Sequence, residues 1–90
     1  FSKHFVHRFP HVQTEVFPVR FPTASKYHIG TLALDKKQIS LLDGNGELYP
    51  DFPLAGTSAF IVVDLFENGE RVLVVANGES VYAYRLRYPR

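Results

Sequence analysis

His4, His7 and His11 are the first residues whose type could do chemistry, because on a helix their spacing would gather three imidazoles on one face, a donor set for a zinc-like ion. Pro10 lies inside that stretch and interrupts a helix through it. On an extended chain His4 points opposite to His7 and His11, so structural or surface histidines are expected. Asp43, Asn45 and Glu47 alternate as D-x-N-x-E, a fragment of a calcium loop that lacks the further carboxylates and the closing bidentate Glu. They are weak metal candidates, since Asp and Asn also favour turns, where their side chains accept from nearby backbone amides. Gly56-Thr57-Ser58-Ala59 comes nearest to a nucleophile elbow but lacks the closing Gly and the strand-to-helix setting that strains such a serine. Tyr82, Tyr84 and Tyr88, with Arg85 between them, are the candidate ligand-binding residues. Their flat rings with polar tips suit stacking on a sugar, although packed interface tyrosines have the same pattern.

Short strands must position these residues. Ser58 to Phe66, Arg71 to Ala76 and Glu79 to Tyr88 are rich in β-branched and aromatic residues, and the gaps between them hold Asn68-Gly69 and Asn77-Gly78. A three-strand meander over 57–90 is expected, with each Asn-Gly forming a two-residue hairpin turn. The consecutive apolar residues of RVLVVA predict a central strand covered on both faces. In the last strand Tyr82, Tyr84, Leu86 and Tyr88 face one way, and Ala83, Arg85 and Arg87 the other.

Upstream, Lys37 to Asp43 and Glu47 to Tyr49 flank the Asp43-Gly44-Asn45-Gly46 turn, and Tyr27 to Leu34 is a further strand whose Gly30 signals a bulge or a close backbone approach. These form a first hairpin unit over 27–56, ended by an irregular stretch from Pro50 through Gly56. Residues 1–26 read as an irregular edge segment with short pieces such as Val12 to Phe17. Its phenylalanines, Phe5, Phe9, Phe17 and Phe21 among them, argue that it packs onto the rest. No helix is expected. The fold class is therefore all-β, built of antiparallel hairpins that form either propeller-blade-like repeats or a small sandwich or barrel.

Asn-Gly-Glu recurs at Asn45, Asn68 and Asn77, and LLDGNGELY echoes LVVANGESVY. The segments LLDGNGELYPDFPLAG and VVDLFENGERVLVVANGESVYAYRL resemble the β-propeller repeats of the FG-GAP and quinoprotein-like kind found in bacterial envelope proteins. The resemblance covers about half of the chain, Ile39 to Leu86. It implies about two blades, a parent protein larger than this chain, and a periplasmic, cell-surface or secreted setting. In the calcium-binding form of the repeat alternate acidic residues hold the cation; here Phe66 stands at the second ligand position after Asp64, so no such site is implied. The quinone-binding form relies on Trp, which the chain lacks, so no cofactor is implied.

The 90 residues, 46% of them apolar, suffice for one domain with one core. There is no cysteine, which removes disulfides, thiolate ligands and thiol catalysis. Ten Lys and Arg against nine Asp and Glu leave a formal charge of +1, too weak a field to recruit nucleic acid. No apolar run approaches the ~20 residues needed to cross a bilayer, so membrane insertion is not expected. The chain starts at Phe1 and contains no Met, as expected of a processed or excised piece. These readings converge on a non-enzymatic structural or interaction module. Its expected partners are a protein or the remaining domains of a parent chain, with self-association through edge strands as a variant. The alternative is a carbohydrate-binding module, or part of a larger enzyme, using the tyrosines. Phe60, Ile61, Val62, Val74, Val75, Tyr82 and Tyr84 are expected to supply the packing faces, with the loops around Asn45, Asp51 and Asn68 exposed.

Overall fold

The computed structural model describes residues 4–22 and 27–86. The described chain is all-β, with strands β1 (Glu15–Arg20), β2 (Tyr27–Ala33), β3 (Gln38–Leu42), β4 (Leu54–Ala55), β5 (Phe60–Val63), β6 (Arg71–Asn77) and β7 (Ser80–Leu86). One turn of 3-10 helix, Leu34–Lys36, joins β2 to β3. The strands form two antiparallel sheets, one of four strands in the order β1-β2-β3-β4 and one of three in the order β5-β6-β7. Of the architectures expected, the described residues adopt two facing sheets and form no closed barrel.

Side-chain alternation decides what lies between the sheets. Register places Gly30 between Phe17 and Leu41, and Leu32 opposite Ile39, so these residues share one face of the four-stranded sheet. On the other sheet Phe60 lies opposite Val75 and Val62 opposite Leu73. These two faces make a single core in which Ile39, Leu41 and Leu73 are fully buried. Phe17 and Phe60 meet edge to face at 5.0 Å where β1 approaches β5. Gly30 is the close approach its position suggested: a Cβ there would overlap the Phe17 ring. At Gly56 a Cβ would stand 2.9 Å from both Ile39 and Val75, so its absence lets the two sheets close.

Several local readings change. The segment 1–26 contains a full six-residue strand, β1, that runs through Pro18, because an edge strand needs backbone donors on one side only. The preceding residues lie over the outer face of the four-stranded sheet. Thr14 N–H and Thr14 Oγ1 both donate to Leu32 O, at 2.6 and 2.9 Å, and Thr31 Oγ1 donates to Gln13 Oε1 at 2.6 Å. Thr31, Ala33, Ser40 and Leu42 are buried beneath them. The stretch after Pro50 is not irregular throughout: beyond Pro53 the chain returns as β4, pairing Leu54 with Ile39 and Ala55 with Gln38.

Neither Asn-Gly forms the turn expected of it. Asn77 is the last residue of β6 and pairs with Ser80, so the two turn positions are Gly78 and Glu79. Gly78 alone takes positive φ (63°), as the first position of a type II′ turn requires. Asn68-Gly69 belongs to a longer loop from Asp64 to Glu70, in which Glu67 (φ 56°) and Gly69 (φ 85°) turn the chain. The Asp64 carboxylate accepts from Asn68 N–H at 3.1 Å and from Gly69 N–H at 3.2 Å, which makes a two-residue connection unnecessary.

The central position of β6 holds, and coverage on both faces holds only in part: Val72 is buried on the outer face, while Val74 and Ala76 are half-buried. The outer face of the three-stranded sheet carries Ile61, Val74 and Ala83 in one register row and Val81 beside Ala76 in the next. The face is covered at one end, where Val72 is 3% exposed in the row Val63, Val72 and Arg85, and open at the other, where Ile61 is 58% exposed and Val81 73%. The core-facing residues are packed by the opposite sheet, and the described residues supply no further strand layer for this side.

Candidate functional site

The D-x-N-x-E stretch closes the β3 hairpin. Asp43 Oδ1 accepts from Asn45 N–H at 2.8 Å and from Glu47 N–H at 3.0 Å, and Asp43 O accepts from Gly46 N–H at 3.0 Å. Asp43 is thus a turn-former, as its local bonding predicts, while Asn45 and Glu47 are exposed. Among the described residues no three His, Asp or Glu side chains converge to hold a metal ion. His4 and His11 are exposed, and His7 is half-buried with its ring 4.7 Å from that of Phe9, on a segment without regular structure.

Ser58 is held in backbone bonding. Its Oγ donates to Ala59 O at 2.7 Å and accepts from Ala76 N–H at 3.1 Å, and the neighbouring Thr57 Oγ1 donates to Ala76 O and accepts from Gly78 N–H. Both hydroxyls fasten the end of β6 and lead into a strand, β5. The chain has no elbow there.

A fourth histidine, His28, is half-buried with its Nδ1 atom inside. Its ring stacks on Phe21 at 4.2 Å and meets Tyr49 edge-on at 5.5 Å, and the Arg71 guanidinium lies 5.4 Å from the Phe21 ring. His28 Nδ1 and Tyr49 Oη are both buried without a hydrogen-bond partner. Burial lowers the His28 pKa, opposed by Asp43 and reinforced by Arg71. Burial also pushes the Tyr49 phenol up to about 12, against the pull of Arg71 and with a smaller push from Asp43.

The tyrosine strand behaves differently at each position. Tyr82 is 39% exposed, whereas Tyr84 is half-buried against the core and donates its hydroxyl hydrogen to Ala55 O at 3.1 Å. Burial raises the Tyr84 pKa; Tyr82 adds to the rise and the bond to Ala55 opposes it. The two rings meet at 73°, with centroids 6.0 Å apart, so they cannot both lie flat on one sugar face. Arg85 points to the opposite face and its Nε stands 2.8 Å from Glu70 Oε2. Tyr88, with Arg87, lies outside the described residues.

Tyr84 and Arg85 instead border a cleft of about 190 Å³ at the open side of the molecule, shared with Tyr49, Pro50, Asp51, Phe52, Leu54 and Leu86. It lies where β4 and β7, edge strands of opposite sheets, leave the core uncovered. Sequence reasoning marked Asp51 and Tyr84 but not the pairing of the two regions. The one local signal was the pair of prolines around Asp51 and Phe52, which keeps that stretch out of a regular ladder. Compared with known protein families, curated proteins and solved structures, the chain matches none.

Proposed function

We propose that this chain is a non-enzymatic β module, a structural and interaction domain of a larger bacterial protein, which docks a neighbouring domain on the outer face of its three-stranded sheet. The observation that carries the reading is the apolar row Ile61, Val74 and Ala83, continued by Ala76 and Val81, in which Ile61, Val81 and Ala83 are exposed and Val74 and Ala76 half-buried. A sheet with both faces apolar is the pattern of a layer packed from two sides, and uncovered apolar area of this kind marks interaction surfaces. The likeness of Ile39 to Leu86 to stacked propeller blades supports the same reading, since a blade packs a neighbour on each face.

Ile61→Lys with Val81→Lys tests it. Both side chains project outward, so folding stability should change by less than about 0.5 kcal/mol. The unsubstituted domain should bind an apolar dye and sediment above its monomer mass at high concentration, and the double variant should do neither. A dye-silent monomer before substitution would remove the docking face.

A further inference from the structure

We infer that β7 is an acceptor edge for an extended peptide strand from a partner protein, which adds a fourth strand to the three-stranded sheet and drops an apolar side chain into the adjoining cleft. The inference concerns the backbone edge of the sheet, whereas the docking proposed above uses side chains of its outer face, those of Val81 and Ala83 included.

Edge strands expose unpaired backbone groups and are usually blunted. Three of the four edges here are blunted: β1 carries Pro18, β4 has two residues and β5 has four. β7 is seven residues long, contains no Pro and, among the described residues, pairs in unbroken register with β6 alone. The two-residue turn makes Asn77 and Ser80 a hydrogen-bonded pair. Alternation from there turns the N–H and C=O groups of Val81, Ala83 and Arg85 away from β6. No described residue bonds to them. That row of alternating donors and acceptors is complementary to one chemistry, another extended backbone.

The position beside β7 is also where a strand is missing. The facing sheet has four strands, and its last, β4, is tied to β7 by the Tyr84 hydroxyl on Ala55 O. An added strand would lie over the cleft, and every second side chain would point toward Phe52, Leu54, Tyr84 and Leu86. A cleft of about 190 Å³ takes one large apolar or aromatic side chain. Backbone bonding with alternate side-chain pockets is how sheet edges recognise peptides.

A second copy of this chain does not fit as well. Pairing through β7 alone presents an edge ~24 Å long and ~10 Å thick, roughly 240 Å² against the ~800 Å² per partner of a stable interface. The copy's Tyr84 and Leu86 are already packed on its own core and could not enter the cleft. The occupant therefore has uncommitted side chains, in an alternating apolar and polar segment.

The test is titration with a capped nine-residue peptide of alternating Thr and Val, with one central Phe and a Lys at each end, followed by amide NMR. Hydrogen exchange should slow at Val81, Ala83 and Arg85, with shifts at Leu54 and Leu86. The same peptide N-methylated at alternate residues should bind at least ~10-fold more weakly, as loss of the strand's donors requires. Ala83→Pro should abolish binding at an edge position where proline is tolerated, and the N-methylated peptide decides the matter if that variant does not fold. Ile61→Lys should leave binding unchanged. Equal affinity for both peptides, no slowed exchange at millimolar peptide, a dimer that itself protects the three amides, or loss of binding in Ile61→Lys would each overturn the inference.

Discussion

Tyr84 on β7 donates to the carbonyl of Ala55 on β4 at 3.1 Å, a bond that ties the free edge of one sheet to the free edge of the other. The two residues are far apart in sequence, so the bond stabilises long-range closure of the open side of the sandwich. Tyr84→Phe keeps the packed ring and removes only this link. Because the bond is partly solvent-exposed, the expected loss is about 0.5 kcal/mol, the low end for a hydrogen bond. Urea unfolding measures it, and an unchanged midpoint would mean that water replaces the hydroxyl at no cost.

Gly30 lies under the Phe17 ring, its register partner on β1. Gly30→Val forces the ring off this position and should cost about 1–3 kcal/mol, as overpacking of a filled site does. In a Phe17→Ala background the same change should cost much less. A double-mutant cycle on thermal unfolding reads the difference, and additive losses would show that Gly30 is required for its backbone and not for the ring above it.

His28 and Tyr49 should each add a pH dependence to the stability of the fold. The His28 pKa is lowered in the folded state, so between that value and 6.5 the unfolded chain binds the extra proton. Stability is full above about pH 6.5 and declines as the pH falls through that window. The Tyr49 phenol is raised from 10.0 to about 12, so its contribution is present below pH 10 and is lost as the pH rises toward 12. His28→Phe should flatten the acid limb of a stability profile recorded by chemical denaturation. Tyr49→Phe should flatten the alkaline limb, and it should not destabilise at neutral pH, because it removes a buried hydroxyl that has no partner. An acid limb unchanged in His28→Phe would assign that sensitivity to other groups.

Much of the fold was legible because strand signals are local. Period-two alternation and β-branched runs mark β2, β3, β6 and β7, and the role of Asp43 follows from the reach of a short carboxylate to amides two and four residues on. The turns were less legible. Asn68-Gly69 looks like a two-residue hairpin, but Asp64 organises a longer loop around it, and a carboxylate outside the dipeptide decides the geometry. β4 was missed since two residues after a proline carry no periodicity of their own; they become a strand because β3 offers them a free ladder.

By itself, then, the sequence determined an all-β chain with a meander at its end, because backbone sterics and side-chain alternation act between near neighbours. Only the tertiary structure decided that one face of β6 is sealed by the opposite sheet while Ile61 and Val81 stand uncovered, and that Tyr49 to Leu54 meets Tyr84 to Leu86 in a cleft. Those outcomes depend on how many layers the chain can supply and on which distant edges come together, and a pattern that repeats every second residue records neither.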